Sequence, residues 1–293
     1  MLFSLLVTLR EGIEIALVVT ILLGYLRKID QKRHFREIWT GVAAAMLLSL
    51  AFATALEITS RELSGRVLES FEGFTMLFAV AVLTWMVFWM KRQAAGISHD
   101  LRHQIDSALS GGSVLALTLL AFTAVAREGF ETTLFLFAGS TNASGTQFVL
   151  GGIIGFVLAG AAGVMLYYGA ARLPLKQFFL ASGVVVIVLA AGLLSNGLNA
   201  LQKAAIITDL GARPWDLEGS LSTTSPLGKF LHTVLGYDAA PAMAQIVLYW
   251  GYIAVVLGAY VLLPSGKPPR VRRVEASSTS PSEPARELAA TNT

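Results

Sequence analysis

Seven stretches of the chain, near 2–26, 38–57, 70–90, 113–138, 147–170, 177–200 and 242–263, are mostly apolar and long enough to cross a bilayer as helices. A hydrocarbon core about 30 Å thick needs roughly 17–25 such residues per helix, and a helix bonds its own backbone where water cannot. The sequence therefore predicts an all-α, polytopic membrane protein with seven transmembrane helices. Composition agrees, with 55% hydrophobic and 14% charged residues. There is no cysteine, which excludes disulfides, thiolate metal sites and thiol catalysis. The net charge of +3 sits in loops beside the apolar segments, so it points to a membrane surface and not to nucleic acid.

The loops set an orientation. Fifteen basic residues, among them Arg27, Lys28, Lys32, Arg33, Lys91, Arg92 and Arg273, fall on one side of the seven spans. Five fall on the other: Arg61, Arg66, Lys203, Arg213 and Lys229. The positive-inside rule then puts the N-terminus outside and the C-terminus in the cytoplasm. Tyr25, Trp39, Trp89, Tyr168 and Tyr260 fall near one interface, where an aromatic belt is expected. The first segment carries Arg10 and Glu11 and lacks a basic leader, so it is expected to stay as a spanning helix and not to be cleaved. Residues 1–263 read as one transmembrane domain with a long extracytoplasmic loop at about 202–241. Residues 264–293, rich in Pro, Ser, Thr and Ala, read as a disordered cytoplasmic tail.

Two of the seven segments break the hydropathy rule in the same way. The first contains Arg10-Glu11-Gly12-Ile13-Glu14, and the fourth contains Arg127-Glu128-Gly129-Phe130-Glu131. A charge at that depth costs about 3 kcal/mol on insertion scales. Residues three and four apart share a helix face, so Glu11 aligns with Glu14 and Glu128 with Glu131. Arg10 and Arg127 each lie one turn before the second glutamate, within reach to pair. A self-neutralising pair that fixes helix packing accounts for one Arg and one Glu per helix and leaves Glu11 and Glu128 over. Two arginines against four glutamates leave an excess of negative charge that a multivalent cation would neutralise. With that orientation the two motif helices run antiparallel, each leading a three-helix unit (1–3 and 4–6), with helix 7 added. Helices 2 and 5 are both rich in small residues (Gly41 to Ala45; Gly151, Gly152, Gly155, Gly160, Gly163), which lets helices approach closely in lipid. An inverted repeat with its site at the midplane is a recurrent transporter plan.

Other polar residues are secondary candidates. Glu69 and Glu72 open the third helix at its outer end, suited either to favouring the helix N-terminus or to guiding cations inward. The outer loop is too polar to span, and its apolar stretches (204–207 and 230–235) are expected to fold over the outer mouth. His99 and His103 have the spacing of two ligands on one helix face, although a solvated pair is the plainer reading. Four carboxylates without His or Cys suit a hard cation and argue against Cu(I) and zinc. Manganese or magnesium would satisfy the same ligands, and a proton-coupled cation exporter would also place carboxylates at the midplane. A membrane-embedded metalloenzyme is less well supported, because carboxylate di-iron helices use Glu-x-x-His pairs and no histidine lies in a predicted span.

The paired Arg-Glu-Gly-x-Glu motifs resemble those of the oxidase-dependent iron permease family. Leu83 to Met90, Asp106-Ser107-Ala108-Leu109, Ala124 to Gly129 and the stretch 230–241 look most like its bacterial EfeU-type ferrous iron permease branch. The resemblance covers roughly residues 1–264 and excludes the tail; it departs from the family at the fourth motif position, Ile13 and Phe130 in place of Leu. It implies high-affinity iron import across the plasma membrane (the bacterial inner membrane), not enzyme activity. By resemblance Glu11, Glu14, Glu128 and Glu131 bind the ion, with Arg10 and Arg127 as charge compensation. Iron, Fe2+ or Fe3+, would be the transported substrate, with no tightly bound organic cofactor. Extracytoplasmic proteins that capture or oxidise iron are the partners it implies.

Overall fold

The computed structural model describes residues 1–93, 97–110, 114–140, 145–169, 175–207, 211–223 and 225–263. Among them every regular element is helical. Helices α1 (Leu2–Lys28), α2 (Phe35–Glu62) and α3 (Gly65–Gln93) precede the shorter α4 (Ile97–Ser110). Then come α5 (Val114–Ser140), α6 (Gly145–Tyr167), α7 (Leu175–Lys203), α8 (Pro226–Leu235) and α9 (Met243–Tyr252). A π turn over Ile253–Leu257 joins α9 to α10 (Gly258–Leu262). The expected tail lies outside the described residues.

Five of these helices are long and apolar enough to cross a membrane: α2, α3, α6, α7 and the α9–α10 run. The other two long helices, α1 and α5, have 27 residues each and carry the three charges of one motif. The chain is a multi-pass helical membrane protein. Helix boundaries fall within a few residues of those read from the sequence; the widest differences are the end of α2, at Glu62 and not near 57, and the start of α3, at Gly65 (φ +57°) and not near 70.

Packing joins the two parts of the chain crosswise. The most extensive pairings are α1 with α6, α2 with α5 and α3 with α7, and α1 also meets α5. Each motif helix thus lies on the small-residue helix of the other half. Glycine makes this closeness possible. A Cβ at Gly12 would run into Ala159 and Phe156 of α6, and one at Gly129 into Ser49 of α2. Gly41, Gly151 and Gly155 are equally tight against α5 or α1. Phe130, at the fourth motif position, packs edge-on against Phe52 of α2 with centroids 5.1 Å apart, and Ile13 is buried.

Two apolar cores hold the bundle. One gathers Phe3 to Leu17 of α1 with α3, α7 and the last helix; the other gathers Val19 to Leu26 with α2, α4 and the first half of α5. On α5 the motif falls between them. The residues of the expected aromatic belt face different ways. Trp39 and Tyr168 are exposed, whereas Tyr260 is buried with its hydroxyl donating to the Phe179 carbonyl at 3.2 Å. Lys91 donates to the carbonyls of Tyr260 and Leu263 and so ties the end of α3 to the end of the last helix.

Helix α8 begins at an N-cap, Ser225, whose Oγ accepts from the Gly228 N–H at 2.9 Å, with Pro226 next. It ends at Gly236 in the left-handed region (φ +67°), where glycine pays no steric cost. Gly236 packs directly on Gly192 of α7, and a Cβ on either would meet the other's backbone. Gly192 lies eleven residues before the end of α7 at Lys203, about 16 Å along a helix rising 1.5 Å per residue. The segment expected to lie across the outer mouth therefore descends alongside α7. Irregular backbone at such depth is tolerated where protein buries it.

Candidate metal centre

The motif residues converge. Arg10, Glu11, Glu14, Glu128 and Glu131 are all buried, with Glu11 only 1% exposed. One carboxylate oxygen from each of Glu11, Glu128 and Glu131 lies within 4.8 Å of the others. Opposed oxygens around a small hard cation stand about 4.2 Å apart, so the trio is close to a ligand set. Among the described residues this is the one grouping of that kind.

The arginines are not equivalent. Arg10 Nη1 donates to Glu11 Oε1 at 2.6 Å, and its Nη2 lies 3.2 Å from Glu14 Oε1. Glu11 therefore has a partner, contrary to the expectation that it would be left over. Adjacent residues do not face each other on a helix, but the guanidinium fork is long enough to serve both. The same fork rests on thioethers, 3.5 Å from Met86 Sδ and 3.1 Å from Met90 Sδ. Arg127 donates from Nε to Glu131 Oε1 at 2.9 Å. Its guanidinium carbon stands 3.9 Å from the Trp89 ring centroid and 5.5 Å from that of Trp85. With 30% of its side chain exposed against 5% for Arg10, it is the looser of the two. Trp89, expected at a membrane interface, is thus part of the centre. Its position one turn after Trp85 was visible in the sequence, but nothing there said which way the pair faced.

Every glutamate keeps unused capacity. Glu11 Oε2, Glu14 Oε1, Glu128 Oε2 and Glu131 Oε2 are buried without a hydrogen bond; the Glu14 oxygen sits at ion-pair distance from Arg10 but at a poor hydrogen-bond angle. A buried, unsatisfied carboxylate oxygen costs more than about 1–3 kcal/mol. With three of these glutamates converging on one point, the oxygens are the kind of donor that suits a hard multivalent cation. Glu14 lies outside the close trio. It and Glu128 line a cavity of about 280 Å³ that opens toward α4.

The secondary candidates separate. Glu69 and Glu72 line a second cavity, of about 290 Å³, together with Asn199, His232 and Asp238. Because α3 starts at Gly65, both lie past its first turn, where a helix dipole has little reach; favouring the helix end is no longer a good reason for them. His103 is exposed on α4, and the side chain of His99 lies outside the described residues.

Comparison with known proteins agrees with this chemistry. The model of the Iron permease FTR1 family matches residues 1–266. The ferrous iron permease EfeU of Escherichia coli O157:H7 is 34% identical over 261 residues, covering 88% of this chain and 95% of the relative. The ferrous iron permease EfeU of Yersinia pestis is also 34% identical over 261 residues, covering 88% of this chain and 93% of its own length. No solved structure matches the chain. A family match over residues 1–266, with a relative at that identity covered over 95% of its length, makes this chain a member of the iron permease FTR1 family, transporters and not enzymes.

Proposed function

We propose that the chain imports iron across the bacterial inner membrane through a site shared by its two motifs. The observation that carries this reading is the meeting of Glu11, Glu128 and Glu131 from α1 and α5, buried and with spare oxygens. Glu14 completes the donor set on the side of the α4 cavity. Arg10 and Arg127 offset part of the glutamates' negative charge and hold their side chains in place. The crosswise pairing of α1 with α6 and α5 with α2 is what two inverted three-helix units, α1–α3 and α5–α7, would produce, with α9–α10 as the seventh span. The fifteen-to-five split of basic residues supports N-out and C-in.

In that orientation the cavity at Glu69, Glu72, His232 and Asp238 faces outward and gathers cations, delivered by extracytoplasmic proteins that capture or oxidise iron. The relatives are ferrous iron permeases, and the same cargo is assigned to this chain. The test is uptake of labelled iron by cells without other importers. Iron supplied with a reductant should accumulate, and manganese, magnesium and zinc in excess should compete more weakly than unlabelled Fe2+. Stronger uptake of manganese or magnesium would contradict iron as cargo; uptake from a ferric chelate alone would contradict the ferrous state. Loss of preloaded metal on expression would point to an exporter.

A further inference from the structure

The cavity of about 280 Å³ lined by Glu14 and Glu128 joins the centre to the face of the bundle where α4 lies. At its deep end are Glu14, Glu128 and Arg127, and at its other end Asp100 and Gln104 of α4. Of the lining carboxylates, Glu14 lies at ion-pair distance from Arg10, while Glu128 has a buried oxygen without a hydrogen bond; the lining guanidinium, Arg127, serves Glu131. The deep end therefore keeps negative charge at Glu128 that no arginine matches, and this favours a cation passing from the centre into the cavity.

The asymmetry of the arginines belongs to the same picture. Arg10 is locked between two glutamates and two methionine sulfurs. Arg127, stacked on Trp89, forms part of the cavity wall. Of the two motif arginines, only the looser one lines this cavity.

We infer that this cavity is the release vestibule: the cation leaves the glutamates past Glu14 and Glu128 and runs along α5 to α4 and the cytoplasm. This rests on the proposed glutamate site and on the N-out orientation. Helix α4, short, polar and packed on α1 and α5, forms the inner lip.

The chain has no cysteine, so single introduced thiols report position without background. Thr123 lines the cavity, and its hydroxyl bonds only within α5, to the Leu119 and Leu120 carbonyls. Thr123→Cys, with Ala124→Cys as a second variant if the first fails to fold, is treated with a charged, membrane-impermeant thiosulfonate from either side of the membrane. Ser220→Cys, on the exposed outer loop, reports orientation. Val157→Cys, 65% exposed midway along α6, reports the lipid face. The expected result is labelling of Thr123→Cys from the side opposite Ser220→Cys, none of Val157→Cys, slower labelling with Fe2+ present, and loss of most iron uptake once labelled. Failure of both cavity thiols to label while Ser220→Cys labels from outside overturns the vestibule and leaves the orientation standing. Labelling with uptake unchanged also overturns it. Labelling of Ser220→Cys from the cytoplasmic side overturns the orientation and with it the direction of release.

Discussion

Trp89 decides how the second motif differs from the first. Its ring holds the Arg127 guanidinium at 3.9 Å, an attraction of about 0.5–2 kcal/mol depending on desolvation. The stack leaves Glu131 as the ion-pair partner of Arg127, and Glu128 with a buried oxygen that has no hydrogen bond and is proposed to take the cation. Trp89→Leu should let Arg127 swing toward Glu128 and compete with iron there. Half-saturation for uptake should rise by about three- to tenfold, the equivalent of ~0.7–1.4 kcal/mol, with little change in the amount of folded protein. Trp89→Phe should restore part of the affinity, because a ring remains under the cation. An unchanged half-saturation in Trp89→Leu would show that the stack only fills space.

At the scale of elements, the motif helices depend on glycine as much as on charge. Gly12 and Gly129 occupy the same place in the two motifs and face α6 and α2 respectively. Gly12→Ala should cost about 1–3 kcal/mol by overpacking and lower thermal stability in detergent. Gly24→Ala, also on α1 but with open space around it, should be neutral or stabilise by about 0.4–1 kcal/mol. Equal stability of the two variants would contradict the close approach of α1 and α6. The five apolar spans and the two motif helices were legible as long helices because length and hydropathy mark them without reference to neighbours. Helix α4 was not: its fourteen residues mix Asp100, Arg102, His103 and Gln104 with few apolar positions, so no window stands out. Helix α8 left signals at both ends, Ser225-Pro226 and Gly236, that fix its limits, but its descent beside α7 depends on Gly192, forty-four residues away. The two motifs, whose glutamates the fold buries close together, could be picked out from two matching violations of hydropathy. What the spacing rules missed was the reach of Arg10 to its own neighbour Glu11, which comes from side-chain length and not helix phase.

For the whole molecule, two halves of one chain each supply part of a centre that neither contains alone. Helix α1 brings Glu11 and α5 brings Glu128 and Glu131, while each motif helix is braced by the opposite half. A centre built this way fails as a unit, since residues in contact do not contribute additively. The most direct measurement is iron uptake by Glu11→Gln, Glu131→Gln and the double variant, each normalised to folded protein in the membrane. Gln keeps the volume, and thermal stability measured alongside separates lost transport from the cost of leaving Arg10 or Arg127 with a partner fewer, which reaches about 3–5 kcal/mol for a fully buried pair. Each single variant should lose at least about 90% of uptake, a tenfold effect worth ~1.4 kcal/mol, and the double should be no worse than either. Two folded single variants that each keep substantial uptake, with a double variant that loses it, would contradict one centre shared by the two motifs.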